Sequence, residues 1–179
     1  YRVTDAYDPN APLIMNLGAF SGTEVMTGLR VFFSAYSPLK VANNGMPLPM
    51  WSAASGDFGR KMLAAGLDEA IFVGRAPKPS YLLIRREGDQ SVLSLEDAGD
   101  LLGKSTHEKI LALADRHSGA HVAALGPSGE HWQTNFYAAI ACSTTNETRS
   151  RDCKPRFAGR GGMGGILGSK NIVAIVAHA

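Results

Sequence analysis

The chain repeats one pattern of residues at an interval of more than half its length, and this repeat constrains the fold more than any other feature. In each half a Leu-Gly pair precedes a Ser-Gly pair, an apolar strand and a long polar loop, and a Phe-Gly or Met-Gly pair then leads into a second apolar strand. The interval is 108 residues between Leu17 and Leu125 and 104 residues between Ala70 and Ala174. Loop insertions and deletions produce a drift of this size. The repeat predicts an α+β fold with an internal duplication, in which two similar α+β halves are related by a pseudo-twofold axis.

Local patterns predict the elements of these halves. Apolar runs bounded by glycine, proline and asparagine predict eight strands, over 12–17, 30–36, 69–74, 80–86, 91–95, 120–125, 134–142 and 171–177. Two helices are predicted over 57–66 and 106–119, with Asp57 at the start of the first and Gly66 and Gly119 after their ends. Helices and strands do not alternate in a strict βαβ rhythm, which favours α+β over a doubly wound sheet.

Composition sets the outer limits of the prediction. With 179 residues and 45% hydrophobic content, the chain is expected to form a single domain over 1–179, with halves at about 11–86 and 120–179. Because the chain opens at Tyr1 and soon reaches a strand, we expect a trimmed or processed product, truncated at both ends. A net charge of +2 predicts no nucleic-acid partner. No apolar run approaches the roughly 20 residues that span a bilayer, so we expect no membrane partner and a cytoplasmic location.

The segment RFAGRGGMGGILGSK, at 156–170, contains six glycines between Gly159 and Gly168. Its spacing matches a dinucleotide-binding fingerprint, but the preceding stretch is polar rather than a buried strand, and the order Gly-Ser-Lys does not match a Walker motif. Two explanations stay open. The glycines either let a short helix pack closely on a sheet, or let the backbone approach an anion that the neighbouring basic residues would bind. Those basic residues are Arg149, Arg151, Lys154, Arg156 and Arg160.

No catalytic residue is predicted within this chain. The five histidines form no HExxH motif and are expected at surface or helix-cap positions. Cys142 and Cys153 form no CxxC pair and are expected to be structural.

Four segments carry a family resemblance: TGLRVFFSAYSPL at 27–39, SGDFGRKMLAAGLDEAIFVGRAPKPSYLLI at 55–84, LGPSGE at 125–130 and RFAGRGGMGGILGSKNIVAI at 156–175. Together they resemble the N-terminal domain of aldehyde ferredoxin oxidoreductases, across nearly the whole chain and in order. The resemblance implies a duplicated α+β domain on which a tungsten or molybdenum bis-pyranopterin rests, with magnesium bridging the phosphates of the two pterins.

Carried over by position, the resemblance assigns cofactor binding to ten residues: Arg30, Ala53, Ser55, Gly56, Arg156, Phe157, Gly159, Arg160, Gly161 and Gly162. It assigns the magnesium ligands to the backbone carbonyls of Ala53 and Phe157, where the family usually has asparagine and alanine. Ser55 likewise stands where the family has glycine. Arginine forks and backbone N–H groups suit phosphate, and Mg²⁺ prefers hard oxygen ligands such as carbonyls.

The resemblance implies a function for a larger assembly. The chain would form the cofactor-cradling part of an oxidoreductase that acts on an aldehyde or oxo group and is not catalytic by itself. Electrons would pass to an iron–sulfur cluster in domains or a subunit outside this chain, and from there to ferredoxin or a similar acceptor, because the family's CxxCxxxC ligands are not in this sequence. The alternative is a stand-alone, non-catalytic module of the same fold that binds another phosphate-bearing ligand or a protein partner. The changes at Ala53, Ser55 and Phe157 favour this alternative, whereas the intact GRGGMGGILGSKN block favours the enzyme.

Overall fold

The computed structural model describes residues 3–23, 25, 28–135 and 137–179. The first part of the chain forms β1 Leu13–Leu17, β2 Val31–Val41, β3 Pro47–Ala54, α1 Phe58–Ala64, β4 Glu69–Phe72, β5 Ser80–Glu87 and β6 Gln90–Asp97. A 3₁₀ turn at Gly99–Leu101 follows. The rest forms α2 Thr106–Arg116, β7 His121–Leu125, α3 Pro127–Glu130, β8 Ile140–Cys142, α4 Thr145–Ser150, β9 Arg156–Ala158, α5 Met163–Ser169 and β10 Ile172–His178.

The strands form two sheets. One has four strands in the order β3-β2-β1-β4, and the other has six in the order β6-β5-β10-β7-β8-β9. All neighbours pair antiparallel except β5 and β10, which are parallel. The sheets are mostly antiparallel, and the helices pack against them without a regular βαβ alternation. This confirms the predicted α+β class.

Two groups of four strands share one arrangement. In the first group, β1, β2, β3 and β4 lie in the order β3-β2-β1-β4, and α1 lies between the third and fourth strands in sequence. In the second, β7, β8, β9 and β10 lie in the order β9-β8-β7-β10, and α5 occupies the corresponding place. This common order supports the predicted duplication. The duplication itself, its pseudo-twofold axis and the boundaries of the halves stay predictions.

The core has two parts, one on each face of the six-stranded sheet. On one face, Ile140 and Ile175 pack with Phe33 of the four-stranded sheet, Phe58 of α1 and Ile166 of α5. On the other face, the second cluster joins the same sheet to α2 and the 3₁₀ turn, through Val122, Val176, Leu101, Ile110 and Leu113. Alternate residues of β7 belong to the two clusters because successive strand side chains point to opposite faces.

The structure corrects several predicted elements. The strand predicted over 134–142 is reduced to Ile140–Cys142, and Phe136 lies outside the described residues. The polar loop predicted before α1 contains β3, whose Pro47 and Pro49 are tolerated because β3 is an edge strand. Three short elements were also missed in the second half, α3, α4 and β9, whereas α5 is the short helix that one explanation of the glycine block required.

The two predicted helices exist but are shorter than predicted. The first covers Phe58–Ala64, and Asp57 precedes it without capping it through its side chain. The second covers Thr106–Arg116 and begins with a capping box between Ser105 and Glu108. In the described part of the chain, no helix is long and apolar enough to cross a membrane.

Candidate phosphate-binding pocket

Two small-residue turns, SAASGDFG at 52–59 and AGRGGMGG at 158–165, occupy equivalent positions in the sequence repeat and lie together where the edge strands β3 and β9 meet. The backbone N–H of Arg160 donates to Ser52 Oγ at 2.9 Å, across this junction. A second bond fixes the same turn from the other side, since Ser37 Oγ donates to the Gly161 carbonyl at 2.8 Å. Both serines are buried. The glycine-rich turn is therefore held against the four-stranded sheet by buried hydrogen bonds.

A cavity of about 260 Å³ opens at this junction. Its lining residues are Arg30, Trp51, Ser52, Ala53, Gly159 and Arg160. Four of these were assigned to cofactor binding from the sequence: Arg30, Ala53, Gly159 and Arg160. The structure thus brings together residues from three separate segments at one concave surface.

The cavity carries positive charge, and no carboxylate among the described residues pairs with it. Arg30 and Arg160 are both exposed, and within the described part of the chain neither guanidinium has an ion-pair partner. By contrast, Arg151 lies 3.0 Å from an Asp115 oxygen, and Arg116 lies 2.8 Å from an Asp100 oxygen. Two unpaired guanidinium groups facing one cavity are typical of an anion site.

Trp51 is a lining residue that the sequence did not reveal. Its ring is 54% exposed, and the Arg160 guanidinium lies 5.9 Å from the ring centroid. This contact orients the guanidinium at the cavity edge. Trp51 lies in β3, which was predicted to be loop, so its outward orientation beside the turn could not be inferred.

The other six assigned residues do not line the cavity. Arg156 begins β9 as an exposed residue, and its Cγ lies 3.6 Å from the position that a Cβ on Gly56 would take. Phe157 follows it, is 54% exposed and does not line the cavity. Ser55 and Gly56 follow β3, and Gly56 has a φ of +105°. The remaining two, Gly161 and Gly162, have φ values of 70° and 73°.

The glycines of the C-terminal block divide into two groups, so both sequence explanations apply to different positions. Gly159 lines the cavity, whereas Gly164 and Gly168 let α5 pack closely. A Cβ on Gly164 would lie 2.7 Å from the Ala139 carbonyl oxygen, and one on Gly168 would overlap the Gly129 carbonyl. Packing therefore accounts for the helical glycines, and only the turn contributes to the cavity.

The turn after β3 is anchored to α4 by Asp57. Its carboxylate accepts hydrogen bonds from Thr145 N at 2.7 Å and Thr145 Oγ1 at 2.9 Å. Burial alone would raise the pKa of Asp57, but the two Thr145 hydrogen bonds help to lower it. The carboxylate stays ionised and holds the turn in place.

The expectation of surface or cap positions for the histidines is wrong for His121, which is buried. Its Nδ1 lies 2.8 Å from Ser143 Oγ, and Ser143 Oγ also accepts a hydrogen bond from Val122 N at 2.9 Å. Burial is the main reason that the pKa of His121 falls to about 4. Because Ser143 is fully buried as well, this pair supports the sheet and is not accessible to a substrate.

Comparison with known proteins decides the family. The chain matches the domain described as "Aldehyde ferredoxin oxidoreductase, N-terminal domain" over residues 2–179. The chain belongs to the aldehyde ferredoxin oxidoreductase family. Tungsten-containing aldehyde ferredoxin oxidoreductase of Pyrococcus abyssi is 34% identical to it over 178 residues, and that of Pyrococcus furiosus is 32% identical over 177 residues.

The family resemblance predicted from sequence is thus confirmed, and the lengths define its extent. Each of these relatives aligns with 96% of this chain, but the chain spans only 25% of the relative's length. Among solved structures, the active-site complex BamBC of benzoyl coenzyme A reductase, in complex with 1,5-dienoyl-CoA, is similar with a TM-score of 0.78 and 27% identity. That similarity covers 98% of this chain and 24% of the other. The chain therefore matches the N-terminal domain of this family and spans about a quarter of the length of these relatives.

Proposed function

We propose that this domain holds the phosphate end of a tungsten or molybdenum bis-pyranopterin in an aldehyde ferredoxin oxidoreductase-type enzyme. The observation that carries the proposal is that Arg30 and Arg160, which have no ion-pair partner among the described residues, line one cavity together with Gly159. The curated relatives are tungsten-containing enzymes by name, which supports the choice of cofactor.

The residues at the cavity suit the phosphate of such a group. Guanidinium groups make charge-assisted hydrogen bonds to phosphate, and a glycine leaves the backbone accessible to it. Phe157, which replaces a small residue of the family, does not line the cavity, so its bulk leaves the space open. A cavity of about 260 Å³ accommodates a phosphate end but not a complete bis-pterin. The rest of the cofactor would need surfaces from other domains.

Magnesium binding belongs to the same proposal. Ala53 lies in β3 at the cavity, and Phe157 lies in β9, the edge strand that adjoins it. Backbone carbonyls are hard oxygen ligands, and their use does not depend on the side chains that differ from the family's usual residues. We propose the carbonyls of Ala53 and Phe157 as magnesium ligands on this basis.

The domain's own contribution would be binding and orientation. When bound, the metal centre would supply the two-electron chemistry on an aldehyde or oxo group. The arginines would neutralise the phosphate charge, and the hydrogen bonds of Ser52 and Ser37 would keep the glycine turn fixed before the cofactor arrives. The iron–sulfur cluster, the transfer of electrons to ferredoxin and the catalytic groups would come from other domains or subunits.

Pyrophosphate is a simple probe of this site, and isothermal titration measures its binding to the purified chain. Removing one charge-assisted contact costs about 1.5–3 kcal/mol. The variants Arg30→Ala and Arg160→Ala should therefore bind roughly 10- to 150-fold more weakly. Arg156→Ala should lose less, because Arg156 lies outside the lining.

The matched control is Arg149→Ala. Arg149 is exposed, has no hydrogen bond or ion pair to other described residues, and lies outside the cavity lining. Its removal lowers the net charge equally and should leave pyrophosphate affinity within about twofold, since screened distant charges contribute little. Thermal melts of Arg30→Ala should match the wild type. A wild-type chain that binds no pyrophosphate, or an equal loss in Arg149→Ala, would contradict the proposal and favour a module that binds a protein partner.

A further inference from the structure

Three side chains with different ligand atoms converge away from the arginine-lined cavity. His107 lies in the first turn of α2, Glu147 in the first turn of α4, and Cys153 in the loop that leads to β9. A ring nitrogen, a carboxylate oxygen and the thiol sulfur lie within 4.8 Å of one another. His107 Nδ1 and Glu147 Oε1 are 2.7 Å apart and form a hydrogen bond. The residues are 40 and 6 positions apart in sequence, so no spacing motif reveals them.

The Glu147 carboxylate has an unused acceptor. Its side chain is fully buried, and Oε2 has no hydrogen-bond partner among the described residues. A buried carboxylate oxygen is normally satisfied by a donor or a metal ion. One oxygen of the Glu147 carboxylate, Oε2, is therefore left to accept a cation.

Access and surrounding charge are compatible with a cation. Cys153 is exposed, so an ion can reach the site from solvent. The neighbouring cationic side chains are Arg151 and Lys154, and each has its own carboxylate, Asp115 at 3.0 Å and Asp152 at 3.1 Å. These pairs reduce the repulsion that a bound cation would meet.

We propose that His107, Glu147 and Cys153 form a binding site for a borderline-soft divalent cation of the Zn²⁺ class. Imidazole nitrogen, carboxylate oxygen and thiolate are the three ligand types that Zn²⁺ uses, whereas Mg²⁺ and Ca²⁺ take oxygen ligands. A water would occupy the fourth tetrahedral position. The ion would displace the thiol proton and the proton shared by His107 and Glu147, and no oxidation is involved.

Only small movements are needed. In a tetrahedral zinc site, neighbouring ligand atoms are separated by roughly 3.4–3.6 Å, as follows from metal–ligand bonds of about 2.0–2.3 Å. The His107–Glu147 contact of 2.7 Å would open slightly, and Cys153 would approach from the exposed loop. The ion would tie that loop to α2 and α4 three residues before Arg156 begins β9.

Cobalt titration tests the site directly, because Co²⁺ bound by a thiolate gives ultraviolet charge-transfer absorption that oxygen and nitrogen ligands do not. The wild-type chain, titrated under reducing conditions, should develop this absorption with one Co²⁺ per chain, and Zn²⁺ should remove it by competition. Cys153→Ser should abolish the absorption, and His107→Gln should weaken Co²⁺ binding at least tenfold.

Cys142→Ala is the matched control, since Cys142 is the other cysteine and is buried in β8 away from the cluster. It should keep the cobalt signal of the wild type. A second readout does not depend on that variant: Zn²⁺ at a hundredfold excess over its Kd should raise the Tm of the wild type by about 5–10 °C and leave Cys153→Ser unchanged.

A wild-type chain without thiolate–cobalt absorption would overturn the proposal. So would a Cys153→Ser variant that gains the same Tm from Zn²⁺, because the thiol would then not be a ligand. Pyrophosphate does not enter this experiment, so its outcome is independent of the phosphate-binding proposal.

Discussion

Replacing Gly164 with alanine tests whether the helical glycines exist for packing. The new Cβ would lie 2.7 Å from the Ala139 carbonyl oxygen and 2.8 Å from the Ala138 carbonyl carbon and oxygen. All three atoms are backbone, so no flexible side chain can move aside. Ordinary contact needs a separation of about 3.4 Å, so the segment would have to retreat by about 0.7 Å.

That retreat would also break a hydrogen bond. Gly164 N donates to the Ala138 carbonyl at 3.0 Å, and the same displacement would lengthen this bond beyond its useful range. Overpacking costs about 1–3 kcal/mol. A lost hydrogen bond adds about 1 kcal/mol. Because alanine has a higher helix propensity than glycine, the substitution also stabilises α5 by at most about 1 kcal/mol.

The net loss of unfolding free energy is therefore about 2 kcal/mol, which for a chain of this size lowers the Tm by roughly 4–8 °C. Thermal melts followed by circular dichroism measure it. Gly126→Ala is the matched control because Gly126 has a φ of −87° and its Cβ would meet only Thr106 Cγ2 at 3.5 Å. Its Tm should change by less than about 3 °C. If Gly164→Ala melted with the wild type, or if both variants lost the same stability, close packing would not explain this glycine.

Two further predictions concern buried charge. The free energy of unfolding should fall by up to about 3 kcal/mol as the pH drops from about 6.5 to 4, because His121 takes up a proton near pH 6.5 in the unfolded chain but has a pKa of about 4 in the folded one. Thermal melts at pH 7 and pH 4.5 should show a smaller loss of stability in His121→Gln than in the wild type. An equal loss in both proteins would exclude His121 as the cause. Lys109 is fully buried, donates to the Leu125 carbonyl at 2.7 Å and pairs with the carboxylate of Glu130. Lys109→Met should therefore lower the free energy of unfolding, measured with urea, by about 3–5 kcal/mol, because it leaves a buried carboxylate uncompensated. Adding Glu130→Gln should recover part of that loss. Additive losses from the two substitutions would argue against an energetic coupling between Lys109 and Glu130.

The sequence predicts the interior of the fold better than its edges. The strands in the middle of the six-stranded sheet carry continuous apolar runs, so the strands predicted at 120–125 and 171–177 closely match β7 and β10. Edge strands have weaker signals. Prolines in β3 and charged neighbours around β9 suggest loops, although both strands form because each has one pairing partner and one open edge.

The candidate site is only partly predictable from the sequence, because it lies beside the edge strands β3 and β9, whose sequence signals are weak. The family resemblance assigned Arg30, Ala53, Gly159 and Arg160 to the cofactor, and the structure brings these four residues to one cavity, while their role in binding stays a prediction. Trp51 and the burial of Ser52 depend on β3 being a strand, and the cluster of His107, Glu147 and Cys153 depends on how α2, α4 and a loop meet. Contacts of that kind are set by tertiary packing and have no periodicity to reveal them.

Packing and binding are joined in the C-terminal glycine block because α5 starts where the turn ends. Gly162 precedes the first residue of α5, and the close approach of Gly164 to the Ala138–Ala139 backbone fixes where that helix begins. The turn is fixed at its other end by the Arg160 N–H bond to Ser52. If the turn binds phosphate as proposed, a substitution in the helix should weaken pyrophosphate binding by displacing the turn, without changing a residue that lines the cavity. A helix variant whose pyrophosphate affinity falls together with its Tm would identify such an indirect effect. Arg30→Ala should instead lose pyrophosphate affinity at an unchanged Tm, because its exposed guanidinium contributes to the cavity and not to the core.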